Sequence, residues 1–240
     1  MKKYKKEFDY SYTLGAFPTM ELVNSRKYKA IKIVVSSKFD NEEVLEKLKK
    51  YCQENHIEFE VNDKTIEKIS DKENCYVIGF FKKEYKIVDA NKPHVVLVNP
   101  ANTGNLGNIM RTMMGFNLEN LIIIKPSVDA MDPKTVRASM GALFHLNIEF
   151  FDNFKEYQEK YPQHEIYPFM LKGKKSLSKV ENQNKLYSLV FGNESSGLDD
   201  SYLNFENTVI IRHTNKIDSL NLTTAIALAC YEFTKEEFND

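Results

Sequence analysis

Residues 94–112 read HVVLVNPANTGNLGNIMRT and combine a fully apolar strand, a turn rich in Asn and Gly, and the start of a helix. A continuous apolar run such as 94–99 is typical of a strand that is buried on both faces of a parallel sheet. Gly104 and Gly107 let the backbone of the turn approach a ligand closely. Ligands of parallel sheets bind at the carboxyl ends of strands, so this turn is the first candidate site.

The rest of the chain alternates predicted strands and helices in the same way. Predicted strands cover residues 31–36, 57–61, 75–81, 121–124, 147–151, 165–170, 186–191 and 208–211. Predicted helices cover residues 41–55, 65–70, 134–143, 153–161 and 222–238, and a further helix runs from the first turn through Phe116. The pattern predicts an α/β fold, in which a parallel sheet covered on both faces follows a smaller α/β domain.

A charged segment, KKEYKIVDANKP at 82–93, separates the two halves of the chain. It predicts a boundary between a domain at 1–90 and a domain at 91–240. Residues 1–93 contain 19 Lys and Arg against 16 Asp and Glu, whereas residues 94–240 contain 14 against 18. This asymmetry indicates two units with different partners, and a solvated, partly frayed N-terminus is the alternative.

Composition excludes several classes of protein. The 240 residues are 42% hydrophobic and carry a formal net charge of −1, which excludes a disordered chain and a uniformly basic protein that coats nucleic acid. The three cysteines are far apart and form no C-x-x-C pair. This spacing argues against a disulfide framework and a zinc site, and predicts a reducing, cytoplasmic location. No apolar run approaches the length of a membrane span, so no membrane association is expected.

Two polar side chains in the first turn and its helix are candidates for chemistry. Asn105 offers an amide that can both donate and accept a hydrogen bond. Arg111 lies six residues further along the helix, and its planar guanidinium can bind a phosphate or a carboxylate. A helix cap followed by a surface arginine is the alternative interpretation.

The second candidate loop is VFGNESSGLDD at 190–200, which follows a predicted strand. Gly192 and Gly197 give it a superficial likeness to a phosphate-binding P-loop, but positions 198 and 199 lack the required Lys and Ser or Thr. Glu194 is either a carboxylate that favours a helix N-terminus or a residue of the site.

The third candidate loop is IIRHTNKIDSLNLTTAIAL at 210–228, where a strand leads into the last predicted helix. Ser219 and Asn221 have a purely structural explanation, because Ser and Asn cap helices well. Leu220 between them fits a hydrophobic staple. Each of the three loops is a weak signal by itself.

Taken in this order, the three loops resemble the signature motifs of the SpoU/TrmH family of RNA ribose methyltransferases, in the SPOUT superfamily. The resemblance spans residues 94–240. The matching residues are Asn105-Leu106-Gly107 through Arg111-Thr112 in motif one, Phe191-Gly192-Asn193-Glu194 with Gly197 in motif two, and Ile211 with Ser219-Leu220-Asn221 in motif three.

The resemblance implies a trefoil-knotted domain that binds S-adenosyl-L-methionine and forms a homodimer through the knot region and the last helix. The cofactor would lie against backbone groups near Gly192, Ile211 and Leu220. Main-chain amides can bind adenine without side chains, which fits the absence of a dinucleotide-binding G-x-G-x-x-G.

The reaction that the resemblance implies is methyl transfer to a ribose 2′-hydroxyl of RNA, without a metal. The family assigns activation of this weak nucleophile to the arginine of motif one, here Arg111. Because a guanidinium holds its proton, we expect Arg111 to bind the target phosphate or the 2′-oxygen and to stabilise developing charge. By resemblance, four further residues would orient Arg111, ribose and cofactor by hydrogen bonds: Asn105, Glu194, Ser219 and Asn221.

The front half also resembles a family feature. LGAFPTMELVNS at 14–25 and the strands and helices after it look like the small substrate-binding domain of many members, which is similar to ribosomal RNA-binding proteins. Members with this domain mostly act on ribosomal RNA, so rRNA is favoured over tRNA. A non-catalytic RNA-binding module and a methyltransferase of small molecules stay open as competing interpretations.

One departure from the family pattern concerns the residues directly after Ile211. The family usually has Pro-Met there, whereas this chain has Arg212-His213. The change adds positive charge beside the cofactor loop. Contact with RNA, contact with a partner subunit and a tolerated surface change are all open interpretations.

Overall fold

A computed structural model describes residues 1–25, 27–70, 74–181 and 185–238. The chain divides into two compact units, one of Met1–Glu84 with Asp129–His145 and the other of Tyr85–Val128 with Leu146–Asp240. The segment 129–145 therefore packs in the first unit, although the predicted boundary at residues 90 and 91 assigns it to the second domain. Contacts between residues more than 100 positions apart hold it there. In one of them, the Ser11 hydroxyl donates to the Met131 carbonyl at 2.6 Å. Contacts of this kind leave no local sequence pattern, so the sequence could not predict them.

Both units are built from short strands and helices. The strands are β1 Tyr10–Tyr12, β2 Ala30–Val35, β3 Glu58–Val61, β4 Val77–Lys82, β5 His94–Val98, β6 Asn120–Ile124, β7 Asn147–Phe151, β8 Glu165–Pro168, β9 Lys175–Ser176, β10 Tyr187–Phe191 and β11 Val209–Ile210. The α-helices are α1 Ala16–Ser25, α2 Glu42–Glu54, α3 Asp63–Ile69, α4 Thr103–Gly115, α5 Pro133–Ala138, α6 Phe154–Lys160 and α7 Leu222–Thr234. None of the helices in these described ranges has the length and apolarity that crossing a bilayer requires.

The first unit contains a mixed sheet in the order β1-β4-β2-β3, in which only β2 and β3 run parallel. Successive side chains of β2 point to opposite faces, so Ile33 and Val34 belong to two different apolar clusters. Helix α2 covers one face through Leu48 and Cys52. Its strands and helices agree with the α/β class predicted for residues 1–90, although the unit also contains residues 129–145.

The second unit contains a five-stranded sheet in the order β7-β6-β5-β10-β8, and every pair of neighbours is parallel. The predicted parallel sheet is thereby confirmed. Its central strands are buried apolar runs, as the sequence of 94–99 indicates. A short parallel pair of β9 and β11 stands apart from this sheet. The trefoil knot that the resemblance implies stays a prediction.

Two predicted helices differ from the structure at their ends. The helix predicted at 134–143 is split into α5 and a 3₁₀ turn at Ala142–His145, because Met140 and Gly141 adopt left-handed backbone angles, with φ of 49° and 88°. The helix predicted at 222–238 ends at Thr234 and continues as a 3₁₀ turn. The last turns of helices often tighten in this way.

A buried polar network lies at the start of β5. His94 is fully buried, and its Nε2 donates to the Asp89 carbonyl at 3.0 Å while its Nδ1 lies 2.9 Å from the Tyr157 hydroxyl. The ring stacks on that of His164 with centroids 4.0 Å apart. Burial, and secondly the neighbouring His164, lower the pKa of His94 from 6.5 to about 4.

This network predicts a loss of stability in mild acid. Because the pKa of His94 is lower in the folded than in the unfolded chain, the unfolded chain binds the proton first, and the stabilisation present above pH 6.5 is lost as the pH falls toward 4. We expect the unfolding free energy from urea titrations to fall by about 2 kcal/mol between pH 7.5 and pH 5. The variant His94→Gln cannot titrate and should show a smaller loss; an equal loss in both proteins would contradict this assignment.

Candidate functional site

The carboxyl ends of the two central strands bring two of the three candidate loops together. Strands β5 and β10 are parallel neighbours, with Leu97 paired to Phe191. The loop at 99–102 and the loop at 192–198 therefore begin at the same edge of the sheet. This edge is where ligands of parallel sheets bind.

The Glu194 carboxylate ties these two loops to each other. Its Oε2 accepts from the backbone N–H of Ala101 at 3.0 Å, and its Oε1 accepts from the backbone N–H of Asn102 at 3.2 Å. The side-chain amide of Asn105 also donates to Oε1, at 3.3 Å. Asn102 in turn caps α4 by accepting from the Asn105 backbone N–H at 2.9 Å. Glu194 therefore positions the first loop and Asn105 together.

Asn193 adds a second tie between the same loops. Its side-chain amide donates to the Asn99 carbonyl at 2.7 Å, where the backbone of Asn99 is left-handed with φ of 53°. Its side-chain oxygen accepts from the Ser195 backbone N–H at 2.9 Å. Both ends of the Asn193 side chain are thus used to fix loop geometry.

Gly192 is required by the path of the backbone. A Cβ atom at this position would lie 2.0 Å from the carbonyl carbon of Gly197 and 2.3 Å from the nitrogen of Leu198. No side chain can occupy that space without moving the loop. The structure thus gives a reason for this glycine that is independent of any ligand, and its predicted role in cofactor approach stays a prediction.

The second and third loops line one cavity of about 360 Å³, and the first loop is joined to its wall through the hydrogen bonds that Glu194 accepts. The walls come from residues 169–172 after β8, from the loop after β10, from the loop after β11 and from the first turn of α7. This volume lies in the range of small-molecule sites. Five of the eight sequence-predicted site residues line the cavity, namely Gly192, Glu194, Ile211, Ser219 and Leu220.

The other three predicted residues lie outside the cavity lining. Asn105 is joined to it through Glu194. Arg111 is exposed on α4, and no hydrogen bond or ion pair links it to another residue in the described part of the chain. Asn221 caps α7, since its side-chain oxygen accepts from the Thr223 backbone N–H at 2.9 Å. Its contacts fit the capping interpretation of the sequence.

The wall at 169–172 is the part of the cavity that sequence reasoning missed. These residues directly follow β8, a strand in the parallel sheet, so the rule that ligands bind at carboxyl ends of strands could have pointed to them. The Phe169 ring stacks on that of Phe191 at 4.5 Å with an angle of 17° between the rings. Lys172 forms an exposed ion pair with Asp200 at 3.0 Å.

The lining suits a ligand with both an apolar and a polar part. Phe169, Ile211 and Leu220 offer apolar surface, whereas Ser195 and Ser196 offer hydroxyl groups. An adenine ring prefers apolar walls with backbone groups at its edge, and a ribose or an amino-acid end requires polar groups. The residues present therefore fit an adenosyl ligand.

Comparison with known proteins agrees with this geometry. The model of the SpoU rRNA methylase family matches residues 92–231. A relative from Listeria innocua named "Putative tRNA (cytidine(34)-2'-O)-methyltransferase" is 34% identical over 149 residues, which are 60% of this chain and 88% of the relative.

Two solved structures are similar to this chain over different extents. An rRNA methyltransferase from Sinorhizobium meliloti with bound AdoMet matches 97% of this chain and 89% of its own, with a TM-score of 0.83 and 21% identity, which shows the fold. A protein studied for the 2-OH methylation of C/U34 on tRNA matches 60% of this chain and 95% of its own, with a TM-score of 0.54 and 30% identity.

The crowding at Gly192 leads to a prediction about stability. We expect Gly192→Ala to lower the unfolding free energy by several kcal/mol or to displace the loop, because the added carbon meets backbone atoms that cannot rotate away. Gly115→Ala is the matched control, since nothing lies within 4 Å of a Cβ at that helix position. The control should be neutral or stabilise the protein by up to about 1 kcal/mol. Equal melting temperatures for both variants would contradict the assignment.

Proposed function

Because the chain belongs to the SpoU rRNA methylase family, we propose that it transfers the methyl group of S-adenosyl-L-methionine to a ribose 2′-hydroxyl of RNA. The observation that carries this proposal is that the loops after β10 and β11 line one cavity, and that Glu194 in its wall accepts hydrogen bonds from the loop after β5. These three loops contain the three motifs in the family's order. Retention of both Asn105 and Arg111 counts against a non-catalytic member of the fold.

S-adenosyl-L-methionine would bind in the cavity, with its adenosyl part against Ile211 and Leu220 and its polar groups toward the loop at 193–196. When bound, it supplies an electrophilic methyl group on a positively charged sulfur. The chain's own part is to hold the ligand, to keep bulk water away and to present the 2′-oxygen of RNA to that methyl group.

Arg111 is the residue proposed to act on the RNA. A 2′-hydroxyl is a weak nucleophile, and negative charge develops on its oxygen as it attacks. A guanidinium that donates to this oxygen, or to the adjacent phosphate, stabilises that charge without giving up its own proton. Glu194 contributes by fixing Asn105 and the start of the helix that carries Arg111.

We favour ribosomal RNA as the substrate class. The relative and the solved structure whose names concern tRNA position 34 each match 60% of this chain. Much of the remaining chain therefore has no matching part in either protein. The rRNA methyltransferase structure matches 97% of the chain. The second candidate is tRNA. The two proteins whose names concern tRNA are 34% and 30% identical to this chain, and these higher identities favour tRNA.

We also propose that the protein acts as a homodimer through α7. Leu228, Tyr231 and Phe238 are 42–56% exposed on this helix and the turn after it. The Phe116 ring lies 6.3 Å from that of Tyr231 and 6.5 Å from that of Phe238, which makes one apolar patch. Contiguous exposed apolar surface of this kind is typical of an interaction site.

Removing the Arg111 guanidinium tests the reaction. We expect Arg111→Ala to lower the methyl-transfer rate by roughly two to three orders of magnitude, because one donor to developing charge is lost. Binding of S-adenosyl-L-methionine should remain, since Arg111 does not line the cavity. The measurement is transfer of labelled methyl groups to total RNA from a deletion strain, with calorimetry for binding and Lys155→Ala as an exposed cation of the same unit that should change neither.

The labelled RNA also separates the candidate functions. Mapping of 2′-O-methyl sites to ribosomal RNA supports the favoured substrate, and mapping to tRNA supports the second candidate. Label in no RNA despite bound cofactor would overturn the proposal in favour of a non-catalytic or small-molecule role. Normal turnover of Arg111→Ala would remove Arg111 from the chemistry.

Charging the apolar patch tests the dimer. We expect the wild-type chain, 27.9 kDa, to show about twice that mass in light scattering at micromolar concentration. Tyr231→Glu should give the monomer mass, because it places a charge in the exposed apolar patch that the proposed dimer buries. Val61→Glu is the control, since Val61 is 58% exposed on the first unit, and it should leave the mass unchanged. A wild-type monomer would contradict the dimer.

A further inference from the structure

His213 lies in the loop after β11 and lines the cavity described above. It is half-buried, and its Nδ1 lies 2.9 Å from the Ile211 carbonyl. The structure thus places an ionisable ring in the cavity wall.

The bond to Ile211 fixes the arrangement of protons on the ring. A carbonyl oxygen can only accept, so Nδ1 carries the hydrogen and donates it. In the neutral ring, Nε2 then presents a lone pair. Within the described ranges of the chain, no residue forms a hydrogen bond with this nitrogen.

The other ionisable side chains of the cavity wall are already engaged. Glu194 accepts from two backbone amides and the Asn105 side chain. Lys172 and Asp200 pair with each other at 3.0 Å. Among the described residues that line the cavity, His213 is therefore the ionisable group with an uncommitted hydrogen-bonding atom.

We infer that His213 Nε2 accepts a hydrogen bond from an N–H or O–H group of the adenosyl ligand, and that protonation of the ring weakens binding of the sulfonium form. The inference rests on the proposed function and adds a side-chain contact to it. A neutral ring is an acceptor, whereas a protonated ring has none to offer and carries a positive charge.

The charges around His213 favour weaker binding of the sulfonium ligand when the ring is protonated. Its own loop carries Arg212, Lys216 and Asp218, which leaves the loop with a net positive charge. In the cavity wall, Lys172 and Asp200 offset each other as an ion pair, and the Glu194 carboxylate is occupied by three hydrogen-bond donors. A cationic ring would thus join a loop with net positive charge and face a ligand whose sulfur is also positive.

The experiment measures the binding of two ligands, one with a positively charged sulfur and one with a neutral sulfur. Calorimetry on the full chain gives the Kd of S-adenosyl-L-methionine and of S-adenosyl-L-homocysteine at pH 8.0 and pH 5.5. Histidine changes its charge between these values. We expect the affinity for the sulfonium ligand to fall by roughly 10-fold at the lower pH, and that for the neutral thioether to fall less.

Two variants isolate the side chain. His213→Met should weaken binding at pH 8.0 by roughly 3- to 10-fold, the loss of one neutral hydrogen bond, and should abolish the difference between the two pH values. His213→Gln retains an acceptor oxygen without titrating, so it should keep more affinity than His213→Met and also lose the pH dependence. Melting temperatures establish that both variants fold.

A second experiment measures the titration of the His213 ring in the wild-type chain, with and without ligand. By linkage, a ligand that prefers the neutral ring lowers the titration midpoint of that ring when it binds. We expect the His213 Cε1–H signal in NMR, assigned by its absence from His213→Met, to titrate at lower pH with S-adenosyl-L-methionine than without it.

The outcomes separate this inference from the function on which it rests. No binding of either ligand at millimolar concentration, at any pH, would overturn the proposed function itself. Binding that does not depend on pH, or that strengthens in acid, would overturn the role of His213 and leave the function standing. An unchanged or raised NMR midpoint would do the same.

Discussion

The geometry of the candidate site depends on the Glu194 carboxylate. Glu194 accepts hydrogen bonds from two backbone amides and one side chain that all belong to the loop after the neighbouring strand and the helix it opens. Hydrogen bonds to an ionised acceptor are about twice as strong as neutral ones, and two of these donors are backbone groups that must be satisfied in any case. The geometry of the first loop, the cap of α4 and one wall of the cavity all depend on this group.

Much of the fold could be predicted from the sequence because the second sheet is made of uninterrupted apolar strands. β5 and β10 end within about one residue of their predicted ends, and α4 begins at a recognisable turn. β1 and β9 escape prediction, since their residues carry no continuous apolar run or alternation of the kind that identifies the other strands. The place of 129–145 in the first unit depends on contacts more than 100 residues apart.

The motifs also predict most of the cavity, but less about what each residue does. Glu194, Ser219 and Leu220 lie together as the motif order implies. The hydrogen bonds that backbone amides donate to Glu194 could not be read from its position, because they depend on the parallel register of two strands far apart in the chain. Asn221 fits the capping role that its residue type favours. Short motifs identify which loops meet, whereas hydrogen-bond partners follow from the register.

In the proposed reaction, the cofactor cavity is rigidly built, whereas the side chain that would act on the RNA is not held in place. The cavity wall is fixed by the hydrogen bond that the Asn193 amide donates, by those that the Glu194 carboxylate accepts, and by a backbone crossing at Gly192 that admits no side chain. Arg111 is exposed and has no bonded partner among the described residues. Ordering a long side chain of this kind costs up to about 2 kcal/mol. In the proposed reaction, binding of the RNA phosphate offsets that cost, so the guanidinium is ordered when RNA is bound.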